Sequence, residues 1–313
     1  MSHQIRRVGL CGVGQMGAAA AVCYKRSGYE TILWDNDHEK LDTIGDRLSG
    51  LESWLDHHVG SAPVEGGQYR KGSLRSIDQE ADLVMDCILE DMAPKAELFG
   101  SLPKAIKRRA LFITTTSGLS ITELGRRSGT GHLLAGTHFW NPPHLMPLVE
   151  VVRGEDTPDQ VLEQVTEVVK AIGKIPVRVN RDVPGFIGNR LLHAMWREAI
   201  YLVQERIATP EAVDLVSRLT FGLRMPAVGP LENMDLVGLD LIERIHTYLL
   251  ADLSGAKQPL QGLADRVKQD NLGLKTGRGF YDWKDRDGDK LIERRDAQIV
   301  NQLEFLKKLD ADA

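Results

Sequence analysis

The chain has few cysteines and no long apolar run. Only Cys11, Cys23 and Cys87 occur in 313 residues. Their number is odd and no CxxC spacing is present, which argues against a disulfide framework and a cysteine-held metal site. No stretch approaches the roughly 20 apolar residues of a membrane-spanning helix, and no signal peptide is recognised. Because Cys11 and Cys87 lie in apolar runs, we expect buried thiols in a cytoplasmic protein.

The chain also lacks an excess of positive charge. It carries 39 Lys and Arg against 44 Asp and Glu, a formal net charge of −5. An acidic surface attracts neither nucleic acid nor an anionic membrane, so neither is expected as a partner. The apolar fraction of 42% and charged fraction of 27% are ordinary for globular enzymes. The composition is therefore that of an ordinary globular protein, with a length sufficient for two domains.

The N-terminal part has the pattern of a nucleotide-binding unit. A short apolar strand ends at Gly12, and an alanine-rich helix follows the G-x-G-x-x-G motif of Gly12, Gly14 and Gly17. These glycines permit a tight turn, close approach of a pyrophosphate and close packing of the helix on the sheet. The N-terminus of the helix presents free N–H groups to phosphates. Asp35 ends the second strand, where a carboxylate binds a ribose 2′-OH and repels a 2′-phosphate, so NAD is favoured over NADP.

Residues 137–150 contain a histidine, His138, and a glutamate, Glu150, separated by a turn. The sequence Asn141-Pro-Pro143 must turn the chain, because proline neither continues a helix nor donates to a sheet ladder. Glu150 interrupts an apolar run, and a charge there needs a partner. A histidine brought back by the turn would serve. The residues alone leave two possibilities open, a coupled acid–base pair and two unrelated surface residues.

The remaining pattern predicts an α/β domain followed by a helical one. Helices are expected over 37–65 and 158–172 and strands over 82–89, 110–114 and 175–179. The hydroxyl of Ser117 follows the strand at 110–114, where open α/β sheets bind ligands. Residues 182–185 mark the junction, which gives domains 1–182 and 183–313. In the second domain we expect helices over 186–205, 210–218, 231–253 and 290–308, with a loop over 222–230. The acidic segment 285–289 lacks the spacing of a calcium loop, so no metal is expected.

Several segments, in order along the chain, match one known family. They are Gly12-Val-Gly-Gln-Met-Gly17, Asp82-Leu-Val84, Glu90 with Lys95, Thr116-Ser117, His138-Phe-Trp-Asn-Pro142, Leu148-Val-Glu-Val-Val152, Pro184-Gly-Phe-Ile-Gly-Asn-Arg-Leu-Leu192, Gly229-Pro230, Asp235-Leu-Val-Gly-Leu-Asp240 and Lys275-Thr-Gly-Arg-Gly-Phe-Tyr281. On these motifs the chain resembles the L-3-hydroxyacyl-CoA dehydrogenase family over nearly its whole length. The resemblance implies a Rossmann-type NAD-binding domain followed by an all-α domain that supports homodimerisation.

The resemblance also implies roles for individual residues. It makes His138 the general base, Glu150 its partner, and Ser117 and Asn189 polar contacts to the substrate. Oxidation of a secondary alcohol requires removal of the hydroxyl proton as hydride leaves for the nicotinamide, and the pKa of histidine suits that task. A carboxylate on the other ring nitrogen fixes the tautomer and stabilises the imidazolium. The implied NAD contacts are Gly12, Gly14, Gln15, Met16, Gly17, Asp35, Glu90, Lys95, Thr115 and Asn141.

Departures from the family pattern bear on the substrate. Acyl-CoA members carry a longer, lysine-rich helical hairpin after the second strand. The corresponding residues 37–65 contain seven acidic and two basic side chains, which would repel the phosphates of CoA. Gly118 and Thr115 stand where the family has serine and asparagine, and the loop 224–230 is longer. We therefore expect a side branch that oxidises a hydroxyl or hydrated aldehyde of a small carboxylated acid.

Five side chains are candidates for contacting such a substrate. They are His144, Arg190, His193, Arg197 and Arg224. For His193 and Arg197, which follow Asn189 at intervals of four on one helix face, a solvated or interfacial face is an equal alternative. Two other functions remain open: a true acyl-CoA dehydrogenase and a non-catalytic, crystallin-like NAD-binding protein. The intact set of Ser117, His138, Glu150 and Asn189 argues against the latter.

Overall fold

A single mixed sheet organises the first part of the molecule. The structure, a computed structural model, describes residues 5–311. The strands in this part of the chain are β1 (Arg7–Cys11), β2 (Glu30–Trp34), β3 (Gln68–Lys71), β4 (Leu83–Asp86), β5 (Leu111–Thr114), β6 (Leu134–Phe139), β7 (Leu148–Val152) and β8 (Ile175–Val179). Their order across the sheet is β3-β2-β1-β4-β5-β6-β7-β8. β1 to β6 are parallel, β7 is antiparallel to β6, and β8 is parallel to β7.

Helices connect the strands of the sheet, and further helices follow β8. They are α1 (Gln15–Arg26), α2 (His38–His58), α3 (Leu74–Glu80), α4 (Met92–Gly100), α5 (Pro103–Lys107), α6 (Ile121–Ser128), α7 (Asp159–Ala171), α8 (Gly188–Gln204), α9 (Pro210–Leu219), α10 (Phe221–Arg224), α11 (Pro230–Val237), α12 (Leu239–Leu249), α13 (Gln261–Lys268) and α14 (Gly288–Ala311). Short 3₁₀ turns lie at Gly131–Leu133 and Leu274–Thr276.

The strand order is that of the Rossmann fold. In the order 3-2-1-4-5-6 the connections reverse direction between β1 and β4, and ligands bind outside the carboxyl ends of the strands at that point. Helix α1 packs closely here because Ala18 and Ala21 are fully buried and small. A Cβ at Gly17 would lie 1.9 Å from the carbonyl oxygen of Gly12. The predicted fold, a Rossmann-type domain followed by a helical one, is confirmed.

Several boundaries differ from the sequence prediction for reasons of tertiary structure. The helix expected over 37–65 ends at His58, and the polar strand β3 then adds to the sheet edge with Tyr69 opposite Thr31. The helix expected over 231–253 is broken at Gly238, which has a φ of 102°. The predicted loop 222–230 contains the end of α10. Cys87 is only half-buried, in contrast to Cys11 and Cys23.

The chain forms two compact units, unit 1 (Met1–Arg190) and unit 2 (Leu191–Ala313). Unit 1 contains the whole sheet and a core of fully buried side chains that includes Leu10, Ile32 and Phe112. Unit 2 is helical, and among its described residues Ser254 is the only buried one. Its large apolar side chains, such as Leu236 at 75% exposure, lie on the surface. The two units therefore differ in how far they bury their own apolar side chains.

Candidate active site

The turn between β1 and α1 is shaped to receive phosphate groups. Gly12 has a φ of 97°, and a Cβ there would lie 2.6 Å from the carbonyl oxygen of Cys87. At Gly14 a Cβ would meet nothing within 4 Å, so space is open in front of the backbone. Gly14 caps α1 without a side-chain hydrogen bond, and no acidic residue lies in the first turn. The free N–H groups of this helix end therefore fit the pyrophosphate of a dinucleotide.

Asp35 follows β2 and is fixed beside the glycine turn. Its Oδ2 accepts a hydrogen bond from the Val13 N–H at 2.8 Å, and its Oδ1 accepts one from the Asp37 N–H at 2.9 Å. The side chain is almost fully buried. In this fold, a carboxylate after the second strand lies next to the adenosine ribose. The two backbone donors hold the Asp35 carboxylate in one orientation for that contact.

His138 and Glu150 form a buried pair at the end of the parallel part of the sheet. Because β6 and β7 are antiparallel neighbours, the register places His138 directly opposite Glu150. His138 Nδ1 lies 2.7 Å from Glu150 Oε2, and the two side chains are 4% and 2% exposed. With Glu150 ionised, Nδ1 carries the proton, and this N–H donates a hydrogen bond to the carboxylate. The Nε2 atom of His138 is then left to accept a proton.

The second oxygen of Glu150 is held by the start of α8. The backbone N–H groups of Ile187 and Gly188 donate to Glu150 Oε1 at 2.8 and 3.0 Å. Burial by itself would raise the pKa of Glu150, but the hydrogen bonds from His138, Gly188 and Ile187 outweigh it and the pKa is lowered. The carboxylate is therefore ionised near neutral pH, as a partner of the His138 imidazole must be.

Two aromatic rings enclose the imidazole of His138. The rings of Trp140 and Phe186 lie 5.0 and 5.8 Å from it, centroid to centroid. A Cβ on Gly188 would lie 2.1 Å from Trp140 Cζ2, so only glycine leaves room for the indole ring at this point. The Asn141–Pro142 peptide bond that follows is cis. Apolar rings on two sides limit the positions that the imidazole can take.

Ser117 lies in a turn after β5 that is tied to two other segments. Its N–H donates to Glu90 Oε1 at 2.9 Å, and its carbonyl oxygen accepts from Asn189 Nδ2 at 3.0 Å. The hydroxyl of Thr116 donates to the same Glu90 oxygen at 2.6 Å. Among the described residues, the hydrogen bonds of Ser117 use only its backbone, and the residue is exposed. Its hydroxyl is therefore available to a substrate.

Lys95 lies beneath this turn and is 1% exposed. Its Nζ lies 2.7 Å from Asp86 Oδ2, 3.4 Å from the Ile88 carbonyl oxygen and 3.6 Å from Glu90 Oε2. Asp86 also accepts from the hydroxyl of Thr114 at 2.7 Å. The ammonium of Lys95 is thus directed at protein carboxylates, although the sequence prediction places Lys95 in contact with NAD.

The other predicted cofactor contacts lie around the same edge of the sheet. Gln15 Nε2 donates to Asn141 Oδ1 at 3.3 Å, which links the glycine turn to the turn after His138. Met16 is half-buried in the first turn of α1. The hydroxyl of Thr115 donates to the Asp86 carbonyl oxygen at 3.0 Å and supports the strand end.

Of the five predicted substrate contacts, two lie in unit 1 and three in unit 2. His144 packs edge-on against the ring of Trp54 in α2, with centroids 6.0 Å apart. Arg190 is exposed, and its Nη1 donates to the Pro184 carbonyl oxygen at 3.4 Å. His193, Arg197 and Arg224 lie exposed in unit 2. Within residues 5–311, no cluster of three or more His, Cys, Asp or Glu side chains could hold a metal ion.

Sequence reasoning missed three features of this site. Asp86 is a fully buried carboxylate at the end of an apolar strand, the same signal that drew attention to Glu150. Thr116 binds Glu90, and no sequence pattern predicts this pairing. The N–H groups of Ile187 and Gly188 are backbone donors, which carry no signature in the sequence. Their contact with Glu150 depends on where α8 begins.

Comparisons with known proteins identify the family. The model for the 3-hydroxyacyl-CoA dehydrogenase NAD-binding domain matches residues 7–183, and the model for the C-terminal domain of the same enzymes matches residues 185–283. The chain is 36% identical over 280 residues to a probable 3-hydroxybutyryl-CoA dehydrogenase of Deinococcus radiodurans, covering 88% of this chain and 99% of the relative. It is 30% identical over 283 residues to a 5-formyl-3-hydroxy-2-methylpyridine 4-carboxylate 5-dehydrogenase of Mesorhizobium japonicum, covering 88% and 90%.

Two solved structures come from the same family, and the pyridine-carboxylate enzyme has the higher TM-score of the two. A crystal structure of a 5-formyl-3-hydroxy-2-methylpyridine 4-carboxylic acid 5-dehydrogenase, an NAD⁺-dependent dismutase, has a TM-score of 0.91 at 28% identity and covers 97% of this chain and 99% of that one. The (S)-3-hydroxybutyryl-CoA dehydrogenase of Ralstonia eutropha has a TM-score of 0.73 at 26% identity, covering 90% and 100%. This chain belongs to the 3-hydroxyacyl-CoA dehydrogenase family and is an NAD-dependent dehydrogenase.

Proposed function

We propose that the protein oxidises a hydroxyl, or the hydrate of an aldehyde, on a small carboxylated substrate that carries no CoA. The observation that carries this proposal is the TM-score of 0.91 to the pyridine-carboxylate dehydrogenase, against 0.73 to the hydroxybutyryl-CoA dehydrogenase. The higher score extends over 97% of the chain.

The region after β2 supports a substrate without CoA. Only residues 59–67 connect α2 to β3, which leaves no room for a second helix of a hairpin. Helix α2 carries five carboxylates along its length against the two cations of Lys40 and Arg47. Phosphates of CoA would meet repulsion on such a surface, whereas a small acid need not contact it.

The chemistry would be carried by the buried pair and the Ser117 turn. NAD, when bound, supplies the acceptor for a hydride. His138 Nε2 removes the proton of the substrate hydroxyl, and Glu150 stabilises the imidazolium that forms. The hydroxyl of Ser117 and the amide of Asn189 hold the reacting oxygen in place. The NAD contacts implied by the family resemblance include Gly14, Asp35 and Glu90.

One observation favours a second candidate, a true 3-hydroxyacyl-CoA dehydrogenase. The 36% identity to the hydroxybutyryl-CoA relative exceeds the 30% to the pyridine-carboxylate relative. Sequence identity averages over the whole chain, whereas the region after β2 bears directly on CoA binding. We therefore give the short connection between α2 and β3 more weight than the difference in identity.

A substrate screen separates the two candidates. NAD reduction is measured at 340 nm with free hydroxy acids, with aldehyde acids including pyridine carboxylates, and with one 3-hydroxyacyl-CoA. In the reverse direction, NADH oxidation is compared between acetoacetyl-CoA and free 3-oxo acids. We expect turnover with a free acid and none above background with the CoA thioester. A kcat/KM higher for the CoA thioester than for every free acid would refute the proposal, and His138→Ala run in parallel reports any contaminating activity.

We further propose that the second domain, residues 183–313, forms a homodimer. The support is the exposed apolar surface of unit 2, on which Leu231 and Leu236 are more than two-thirds exposed. A monomer rarely leaves so much apolar surface in water. Light scattering of the purified protein measures the mass directly.

A cytoplasmic location is proposed as well, because Cys11, Cys23 and Cys87 are free thiols. Cell fractionation tests it.

A further inference from the structure

A buried ion pair lies beneath the turn that carries Ser117. Asp86 and Lys95 are 0% and 1% exposed and 2.7 Å apart. The Asp86 carboxylate is completed by the hydroxyl of Thr114 and by the Ile88 N–H at 3.0 Å. Asp86 is thus saturated with donors, and the ammonium of Lys95 is directed at protein acceptors.

Stability alone does not account for such a pair. Two charges taken out of water carry a large desolvation cost, and apolar residues of similar volume often serve a fold as well or better. The pair provides something that apolar side chains do not, a cation in a fixed position. The third group near this cation is Glu90, with Oε2 3.6 Å from Lys95 Nζ.

Glu90 connects the cation to the Ser117 turn. Its other oxygen, Oε1, accepts from the Thr116 hydroxyl and from the Ser117 N–H. The Glu90 side chain is 47% exposed, and an exposed glutamate without an anchor has several rotamers available to it. Lys95 attracts one oxygen and thereby directs the other at Thr116 and Ser117.

We propose that Asp86 and Lys95 are positioning residues for the reaction. Asp86 holds Lys95, Lys95 orients Glu90, and Glu90 fixes the turn that presents the Ser117 hydroxyl. The inference rests on the proposed function for the role of Ser117, while the positional part concerns the protein alone. A displacement of about 1 Å in a reacting group lowers rates by about 100-fold.

The test compares single and double variants. Asp86→Asn and Lys95→Met each leave one buried charge without its partner and should lower the unfolding temperature. The double variant removes both charges and should recover much of that loss. If the pair only stabilises the fold, the double variant should also regain activity. We expect instead that its kcat stays about 10- to 100-fold below wild type, with less change in the KM for the substrate.

Hydrogen exchange of residues 115–119 supplies a readout independent of turnover. The Ser117 amide donates to Glu90, so its exchange should accelerate by at least about tenfold in the double variant. A matched control is Arg26→Met with Asp56→Asn, which removes the 2.6 Å ion pair between α1 and α2 and should leave exchange at 115–119 unchanged. Wild-type exchange and wild-type kcat in the Asp86/Lys95 double variant would overturn the proposal.

Two further outcomes are possible: the double variant does not fold, or the screen finds no substrate. If the double variant does not fold, Glu90→Gln keeps the buried pair and the acceptor for Ser117 but removes the attraction to Lys95. Unchanged exchange at residues 115–119 in that variant would then overturn the proposal. If no substrate emerges from the screen, the proposed function fails, whereas the exchange experiment still decides whether the buried pair positions the Ser117 turn.

Discussion

Both units contain amphipathic helices, but only unit 1 buries the apolar side chains of these helices. Unit 1 encloses Leu10, Phe112 and Val151 completely between sheet and helices. In unit 2 the helices α8, α9 and α12 are also amphipathic, yet their apolar side chains remain on the surface. Its internal connections include polar contacts, such as the 2.6 Å hydrogen bond from the Tyr281 hydroxyl to Asp214.

The two units differ in whether they bury their apolar side chains without a partner. Burial of apolar area is the dominant favourable contribution to folding, and unit 1 obtains it within one chain. Unit 1 also contains the complete His138–Glu150 pair and the Ser117 turn. Unit 2 exposes side chains that water disfavours, which supports the proposed association of two copies. The predictions below test this contrast, beginning with the largest expected effect.

Replacing the proposed general base, His138, should cause the largest loss of activity. Removal of a general base costs about 10²- to 10⁴-fold in rate, and we expect a loss of that size in kcat for His138→Ala. The affinity for NADH, measured by fluorescence, should stay near wild type, whereas the unfolding temperature should fall because the buried Glu150 carboxylate loses its partner. Retention of most of the activity would contradict the role assigned to His138.

A large truncation in the sheet core should destabilise unit 1 at any protein concentration. Phe112 is fully buried and packs edge-on against Phe99, with centroids 5.2 Å apart. Phe112→Ala should lower the free energy of unfolding by about 3–5 kcal/mol because a cavity remains. Val59→Ala, at an exposed position of unit 1, should change it by less than about 0.5 kcal/mol. Urea denaturation measures both, and equal effects would contradict the burial pattern.

A charge on the apolar surface of unit 2 should weaken the dimer. Leu219 at the end of α9 is 59% exposed. If a second copy covers it, Leu219→Asp loses about 1.5–3 kcal/mol of burial per protomer, and the mass from light scattering should fall toward a monomer on dilution. Arg218→Gln makes the same change in net charge on the same helix and should leave the mass unchanged. A wild-type mass for Leu219→Asp at every concentration would show that this part of the surface is not covered.

The smallest expected effect is a dependence of the unfolding temperature on pH. The pKa of Glu150 is lower in the folded protein than its ordinary value. Its ionised form therefore contributes stability at neutral pH, and that contribution is lost as the pH falls through the folded-state pKa, which lies below the ordinary pKa of a glutamate. Glu150→Gln should flatten the decline of the unfolding temperature between pH 5 and about 3. An equally steep decline in the variant would contradict the lowered pKa.

Much of the fold was predictable because local patterns specify it. The glycine motif and Asp35 belong to one strand–helix–strand unit, in which spacing along the chain fixes spacing in space. The proline turn after His138 favours a return of the chain, and the pairing with Glu150 follows once the strands are in register. Strand β3 was missed, because four polar residues become a strand only when a sheet edge is available to them.

The sequence by itself determined the family and the cofactor and predicted the principal residues of the candidate site, since each belongs to a short motif with its own geometry. Tertiary structure alone decided how that site is supported. Lys95 pairs with Asp86, nine residues earlier, because the chain turns back between the end of β4 and α4. Glu150 acquires its backbone donors where α8 begins. Exposure in unit 2 is likewise a tertiary property, because an amphipathic pattern marks a face to be covered without specifying what covers it.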